Sequence, residues 1–252
     1  FVTVGDALAM CYETAQSSFY EFDGIENGEP VFRTDKSKTV FSEYCGLYKA
    51  EGVLTDDGFT ALDGKSSVSE QMLVIGGLTL KKGGVSTEGC LGRYVRAFYY
   101  DDGTDRELRY IAVVGKKNNV VEIDAEDISD RRDGSAYVLY YYDGGREKKV
   151  TISDTADIIY NGAADTSLTI DAVRISDGGL TLVDNDRDGK YDVVIILSYE
   201  SFVVTYADFT NKKLYGKYGE CADYSDADDV RVFGGAGEEI TVNDISAGNT
   251  VM

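Results

Sequence analysis

Leu180-Thr-Leu-Val-Asp-Asn-Asp-Arg-Asp-Gly-Lys-Tyr-Asp-Val-Val-Ile-Ile-Leu197 sets an acidic, glycine-bearing loop between two apolar runs rich in β-branched residues. Short runs of that composition predict strands, and the polar segment between them predicts a hairpin. The same grammar recurs on both sides. Gln71-Met-Leu-Val-Ile75 reaches Leu78-Thr-Leu80 through Gly76-Gly77, and Arg93–Tyr100 reaches Arg109–Val114 through Asp101-Asp-Gly-Thr-Asp105. Tyr137–Tyr142 reaches Lys148–Ile152 through Asp143-Gly-Gly145, a two-glycine turn of the kind that hairpins favour. Leu47–Leu54, Val120–Ile123, Asp157–Tyr160 before Asn161-Gly162, Ser201–Tyr206, Val230–Phe233 and Glu239–Val242 complete the expected strands.

Only the start of the chain reads otherwise. Thr3-Val-Gly-Asp6 has the form of a helix start, and Val4, Leu8, Cys11, Tyr12 and Ala15 follow at helical spacing, so a helix is expected from Val4 to about Ser17. Phe19 to Asp35 is polar and is expected to be a loop with short extended pieces. A second short helix is expected from Thr39 to Cys45, stopped by Gly46. The expected fold is therefore mainly β, made of small barrel or sandwich units built from hairpins, with a short N-terminal helical segment. The expected divisions are a helical and loop segment at 1–46, a first β unit at 47–160 and a second at 161–252. Ile-Asp-Ala-x-x-Ile-Ser-Asp occurs at Ile123–Asp130 and again at Ile170–Asp177, with an echo at Ile240–Ser246, which reads as a recurring strand-to-turn element.

Composition removes several classes of function. The 252 residues carry 25 Lys and Arg against 45 Asp and Glu, a formal charge of −20 that disfavours nucleic acid and anionic membrane surfaces. There is no histidine, so Ser-His and Cys-His nucleophiles and His-bound metals are excluded. No apolar run approaches the roughly 18 residues of a membrane span. Cys11, Cys45, Cys90 and Cys221 show no Cys-x-x-Cys spacing, and reduced thiols packed in the core are expected. Phe1–Asp6 lacks the basic and apolar regions of a signal peptide, and both ends read as cut from a longer polypeptide.

The loop Asp184–Asp192 is the candidate site. Asp184, Asp186, Asp188 and Asp192 stand at relative positions 1, 3, 5 and 9, with Gly189 at position 6 and the carbonyl of Lys190 at position 7. That alternation turns successive oxygens toward one hard cation, and calcium prefers six to eight oxygen ligands. Ile195 occupies position 12, where an EF-hand has Glu, and the flanks are strands, so a calcium-stapled hairpin is expected. The pairs Asp56-Asp57 and Asp101-Asp102 and the cluster Asp226–Asp229 have the makings of glycosidase dyads, but each sits in an expected turn where Asp serves local hydrogen bonding. Phe98-Tyr-Tyr100 and Tyr140-Tyr-Tyr142 split between the two faces of a strand, which favours cross-strand pairing over a sugar-binding face. No phosphate loop, dinucleotide fingerprint or nucleophile elbow is present, and Gly234-Gly-Ala-Gly237 does not open a helix.

Val2-Thr-Val-Gly-Asp-Ala-Leu-Ala-Met-Cys-Tyr-Glu-Thr-Ala15 resembles the closing helix of a surface-layer homology repeat. Lys38–Tyr44, Tyr48–Val53, Leu91–Tyr100, Ile159–Gly162 and Val183–Val194 are similar to the region downstream of such repeats in surface proteins of Gram-positive bacteria. The resemblance implies an exported, cell-surface, non-enzymatic segment with a structural or adhesive role, held to wall polysaccharide through neighbouring modules. Its alternative is a carbohydrate-binding module of a secreted multidomain enzyme.

Overall fold

Helix α1 spans Val4–Gln16, as its periodicity predicts. Tyr12 and Ala15 in its last turns are half-buried, while Val4, Leu8 and Cys11 are exposed. The expected burial of Cys11 is therefore corrected. Cys45 and Cys221 are also exposed, and of the four free thiols Cys90 alone is buried. Burial pushes that thiol up. The computed structural model describes the chain apart from residues 1–2, 65, 133–136, 165–169, 226, 228–229, 231 and 237.

The segment after α1 is not a loop. Strands β1 (Ser18–Glu26) and β2 (Glu29–Thr39) form an antiparallel ribbon. Asn27 and Gly28 make its turn at φ 51° and 86°, the two left-handed positions that match the twist of paired strands. Phe22 faces Phe32 edge-on at 6.0 Å, and Glu21 accepts from Arg33 and Lys38. Most of its described side chains are exposed, and its alternation of apolar and polar residues is short, running only through Tyr20-Glu-Phe-Asp23. Helix α2 (Val40–Cys45) follows with a Thr39–Ser42 capping box, and ends on left-handed Gly46.

A closed barrel comes next, in the order β3-β4-β5-β7-β6. Its strands are β3 (Leu47–Asp56), β4 (Met72–Ile75), β5 (Leu78–Lys81), β6 (Tyr94–Asp101) and β7 (Arg106–Val113). Gly76 and Gly77 turn the β4–β5 hairpin at φ 55° and 82°. Leu54, Leu73, Ile75, Leu80, Val95, Ala97 and Leu108 fill the interior.

A six-stranded sheet follows: β8 (Asn119–Asp124), β9 (Val138–Asp143), β10 (Arg146–Tyr160), β11 (Ala163–Ala164), β12 (Gly178–Asp184) and β13 (Tyr191–Ser198). Its path is β11-β10-β13-β12-β8, with β9 on β10. The long β10 changes partner along its length. Arg146–Thr151 pairs antiparallel with β9, and Ile152–Tyr160 pairs parallel with β13 after a register shift before Asp157. Leu139, Ile152, Leu180, Leu182, Val194 and Ile196 form its core. A third cluster, with Leu62, Ile159, Val183 and Val193 flanked by Val53 and Leu91, joins barrel to sheet.

The chain packs as two units that divide after Leu197, not after 160. The β10–β13 pairing crosses position 160 and leaves no break there. In the unit 198–252, β14 (Phe202–Asp208), β15 (Lys213–Gly216) and β16 (Cys221–Asp223) form a sheet, with the short pair β17 (Val232–Phe233) and β18 (Glu239–Ile240) beside it in sequence. Strand β19 (Thr250–Val251) closes the sheet on β14, and Phe202, Val204, Leu214 and Ile245 make the core. The three echoes of the internal repeat each fall on one 3-10 turn, at Ala125–Asp127, Ile170–Val173 and Val242–Asp244.

Candidate metal centre

The acidic loop lies where the sequence places it, between β12 and β13, which are neighbours in the sheet. Asp184 is the last residue of β12 and is 2% exposed; Asp186 and Asp188 are exposed. One oxygen from each of these three carboxylates lies within 4.8 Å of the other two. The loop is wound by its own carboxylates. Asp184 accepts from the backbone N–H of Arg187 (2.5 Å) and Gly189 (3.3 Å), Asp186 from Asp188 (2.9 Å), and Asp188 from Lys190 (2.7 Å). Arg187 and Gly189 take φ of 67° and 91°, which lets the chain curl around the three side chains.

Asp192 stands apart from that group. Its carboxylate accepts the N–H of Asn185 at 3.0 Å. Burial pushes its carboxyl up despite that bond, and the charges of Asp186, Asp184 and Asp188 push the same way. Asp157 is raised too, by burial and by the charges of Asp63 and Asp192. Sequence reasoning missed Asp157, because only the β10–β13 register, with Asp157 opposite Val193, brings it beside the loop. Like charges near 4 Å repel by about 1 kcal/mol per pair in water and by more where solvent is excluded. Arg187 directs its guanidinium Nη1 to the carbonyl of Lys116 at 2.9 Å.

The loop also reaches the barrel. Asn185 Nδ2 donates to the carbonyl of Gly92 at 2.9 Å. Gly92 sits at φ 75°, and a Cβ there would lie 2.9 Å from Val193 Cγ1, so glycine permits the close approach of barrel and sheet. Three carboxylates with a fourth nearby could hold a hard cation, for which all-oxygen ligands are suited.

The other acidic candidates serve turns. Asp56, 4% exposed, accepts from Gly58 N, Ser66 Oγ, Ser67 N and Ser67 Oγ. Asp57 accepts from Phe59 and Thr60, Asp101 from Gly103 and Arg106, and Asp102 from Thr104 and Asp105. Asp226, Asp228 and Asp229 lie outside the described residues. The aromatic runs alternate as expected: Tyr141 is buried between half-buried Tyr140 and exposed Tyr142, and Tyr99 stacks on Tyr48 across β3–β6 at 5.7 Å. Among the described residues no helix is long and apolar enough to cross a membrane. No protein-family model, curated protein or solved structure matches the chain.

Proposed function

We propose that this chain is a non-enzymatic structural or adhesive segment of a surface-anchored bacterial protein, and that calcium staples it at the β12–β13 hairpin. Asp184, Asp186 and Asp188 supply the first oxygens; the Lys190 carbonyl and Asp192 complete the set. The observation that carries this reading is the convergence of three carboxylates around buried Asp184, in a loop that also hydrogen-bonds the barrel at Gly92 and Lys116. An ion there would remove the repulsion within the loop and fix barrel to sheet in one step. The sequence resemblance to regions downstream of surface-layer homology repeats supports the cell-surface setting, where calcium is abundant enough for a site of the 10⁻⁴–10⁻³ M class.

A ligand that binds only the folded state at about ten times its Kd adds about 1.4 kcal/mol. For a unit of nearly 200 residues that corresponds to a melting shift of roughly 3–5 °C. The test is a thermal melt of the whole chain in calcium and then in chelator, beside Asp186→Ala. The expected result is a calcium-dependent rise that the variant loses. Identical melts in calcium and chelator would reduce Asp184–Asp192 to an acidic turn.

A further inference from the structure

A cleft of about 670 Å³ opens where α1 and α2 meet β6 and β7, on a different face of chemistry from the acidic loop. Its walls are aromatic. Phe98 stands at the centre, with Phe41 edge-on at 5.7 Å, Tyr12 edge-on at 6.1 Å and Tyr110 tilted at 6.5 Å. Phe98 is buried, whereas the Tyr110 ring is 55% exposed and presents itself to the opening. Leu47, Ala112, Val113 and Val114 add aliphatic wall, and two arginines supply charge that is already compensated. Arg96 Nε donates to Glu51 and its Nη1 lies 3.4 Å from Tyr12 Oη, while Arg109 makes a two-pronged pair with Glu107 at 3.0 and 3.1 Å.

That combination selects among ligand classes. Clefts of a few hundred Å³ with apolar walls and a few polar groups are built for small molecules. An anion would find both guanidinium groups already paired with carboxylates, in the field of a chain with charge −20. A cation would meet Arg96 and Arg109. What fits is a neutral ligand with one apolar face and an edge of paired hydroxyls. Its C–H face lies on exposed Tyr110, and its hydroxyls reach the guanidinium donors of Arg96 and Arg109.

We propose that this cleft is a binding site for a neutral saccharide. The site does not depend on the calcium reading: its residues lie on α1, α2, β3, β6 and β7 and at Val114, and none belongs to the acidic loop. The experiment is a glycan array carrying neutral, sialylated and uronic-acid glycans, probed with the whole chain in calcium and in chelator. Wild type, Tyr110→Ala, Arg109→Ala and the control Tyr206→Ala are compared, with circular dichroism checking that each is folded. Tyr110, Arg109 and Tyr206 are all exposed, so their removal leaves the cores intact. Neutral glycans are expected to bind, in calcium and in chelator alike. Binding falls at least tenfold in Tyr110→Ala and Arg109→Ala and is unchanged in Tyr206→Ala. Absence of any bound neutral glycan, preference for acidic glycans, or full binding by folded Tyr110→Ala overturns the proposal.

Discussion

Asp56 illustrates how much a single residue can hide from a sequence reading. Written as Asp56-Asp57 it looks like any acidic turn, yet its carboxylate is buried at the end of β3 and organises Gly58, Ser66 and Ser67 around itself. Burial raises its pKa, and those hydrogen bonds outweigh it, so the net position is below the ordinary carboxylate range. Asp56→Ala leaves buried donors unpaired and should cost about 3 kcal/mol in chemical denaturation. The pH dependence has a definite sign. A carboxyl depressed in the folded state contributes fully above its unfolded value near 3.9 and loses that contribution as pH falls through the folded value. In the smaller unit, Lys213 and Ser225 hold Asp223 at about 2, which adds the same sign. Acid melts of wild type should therefore show stability falling below about pH 4, with a shallower fall in Asp56→Ala. An equal slope in both would remove Asp56 from the account.

At the scale of elements, hairpins with glycine turns were legible because turn chemistry and apolar alternation agree. The β4–β5 and β9–β10 turns fall on the glycine pairs that announce them, and Thr39 and Gly46 bracket α2 as their residue types predict. The β1–β2 ribbon shows where that reading stops. Its alternation runs only through Tyr20-Glu-Phe-Asp23, too short to stand out, and Asn27-Gly28 was the clearer signal. A two-stranded ribbon is marginal on its own, and this one leaves Tyr20, Phe22, Ile25 and Phe32 exposed. Hydrogen exchange should find its amides far less protected than those of β6 in the barrel. Gly28→Ala, strained at φ 86°, should lower ribbon protection further, by about 1 kcal/mol, and leave the barrel untouched. Equal protection in ribbon and barrel would contradict the view that the ribbon stands with little support.

For the whole molecule, charge is the dominant long-range term. A net −20 with no histidine makes the compact state repel itself at neutral pH. Monovalent salt shortens the reach of that repulsion to about 8–10 Å near 0.1 M. Melting temperature in chelator should thus rise between low and moderate sodium chloride. A fall on adding salt would mean that surface ion pairs such as Lys81–Asp105 and Lys213–Asp223 outweigh the net charge. Sodium chloride in chelator also serves as the baseline against which a specific calcium effect is read.

The sequence by itself determined the class of the fold and the place of the acidic loop, since both rest on local information. Apolar alternation, turn glycines and carboxylates at alternate positions each act within about ten residues. Tertiary structure decided everything that depends on distant segments meeting. Residues 161–197 fall in one unit with the residues before them because β13 pairs parallel to β10, a contact with no local signature. Asp157 came beside the loop through the same register. Tyr12, Phe41, Phe98 and Tyr110 came around one cleft from four separate elements. Parallel pairing and clefts between elements are settled by packing of side chains far apart in the chain, and no short-range pattern encodes which of them will meet.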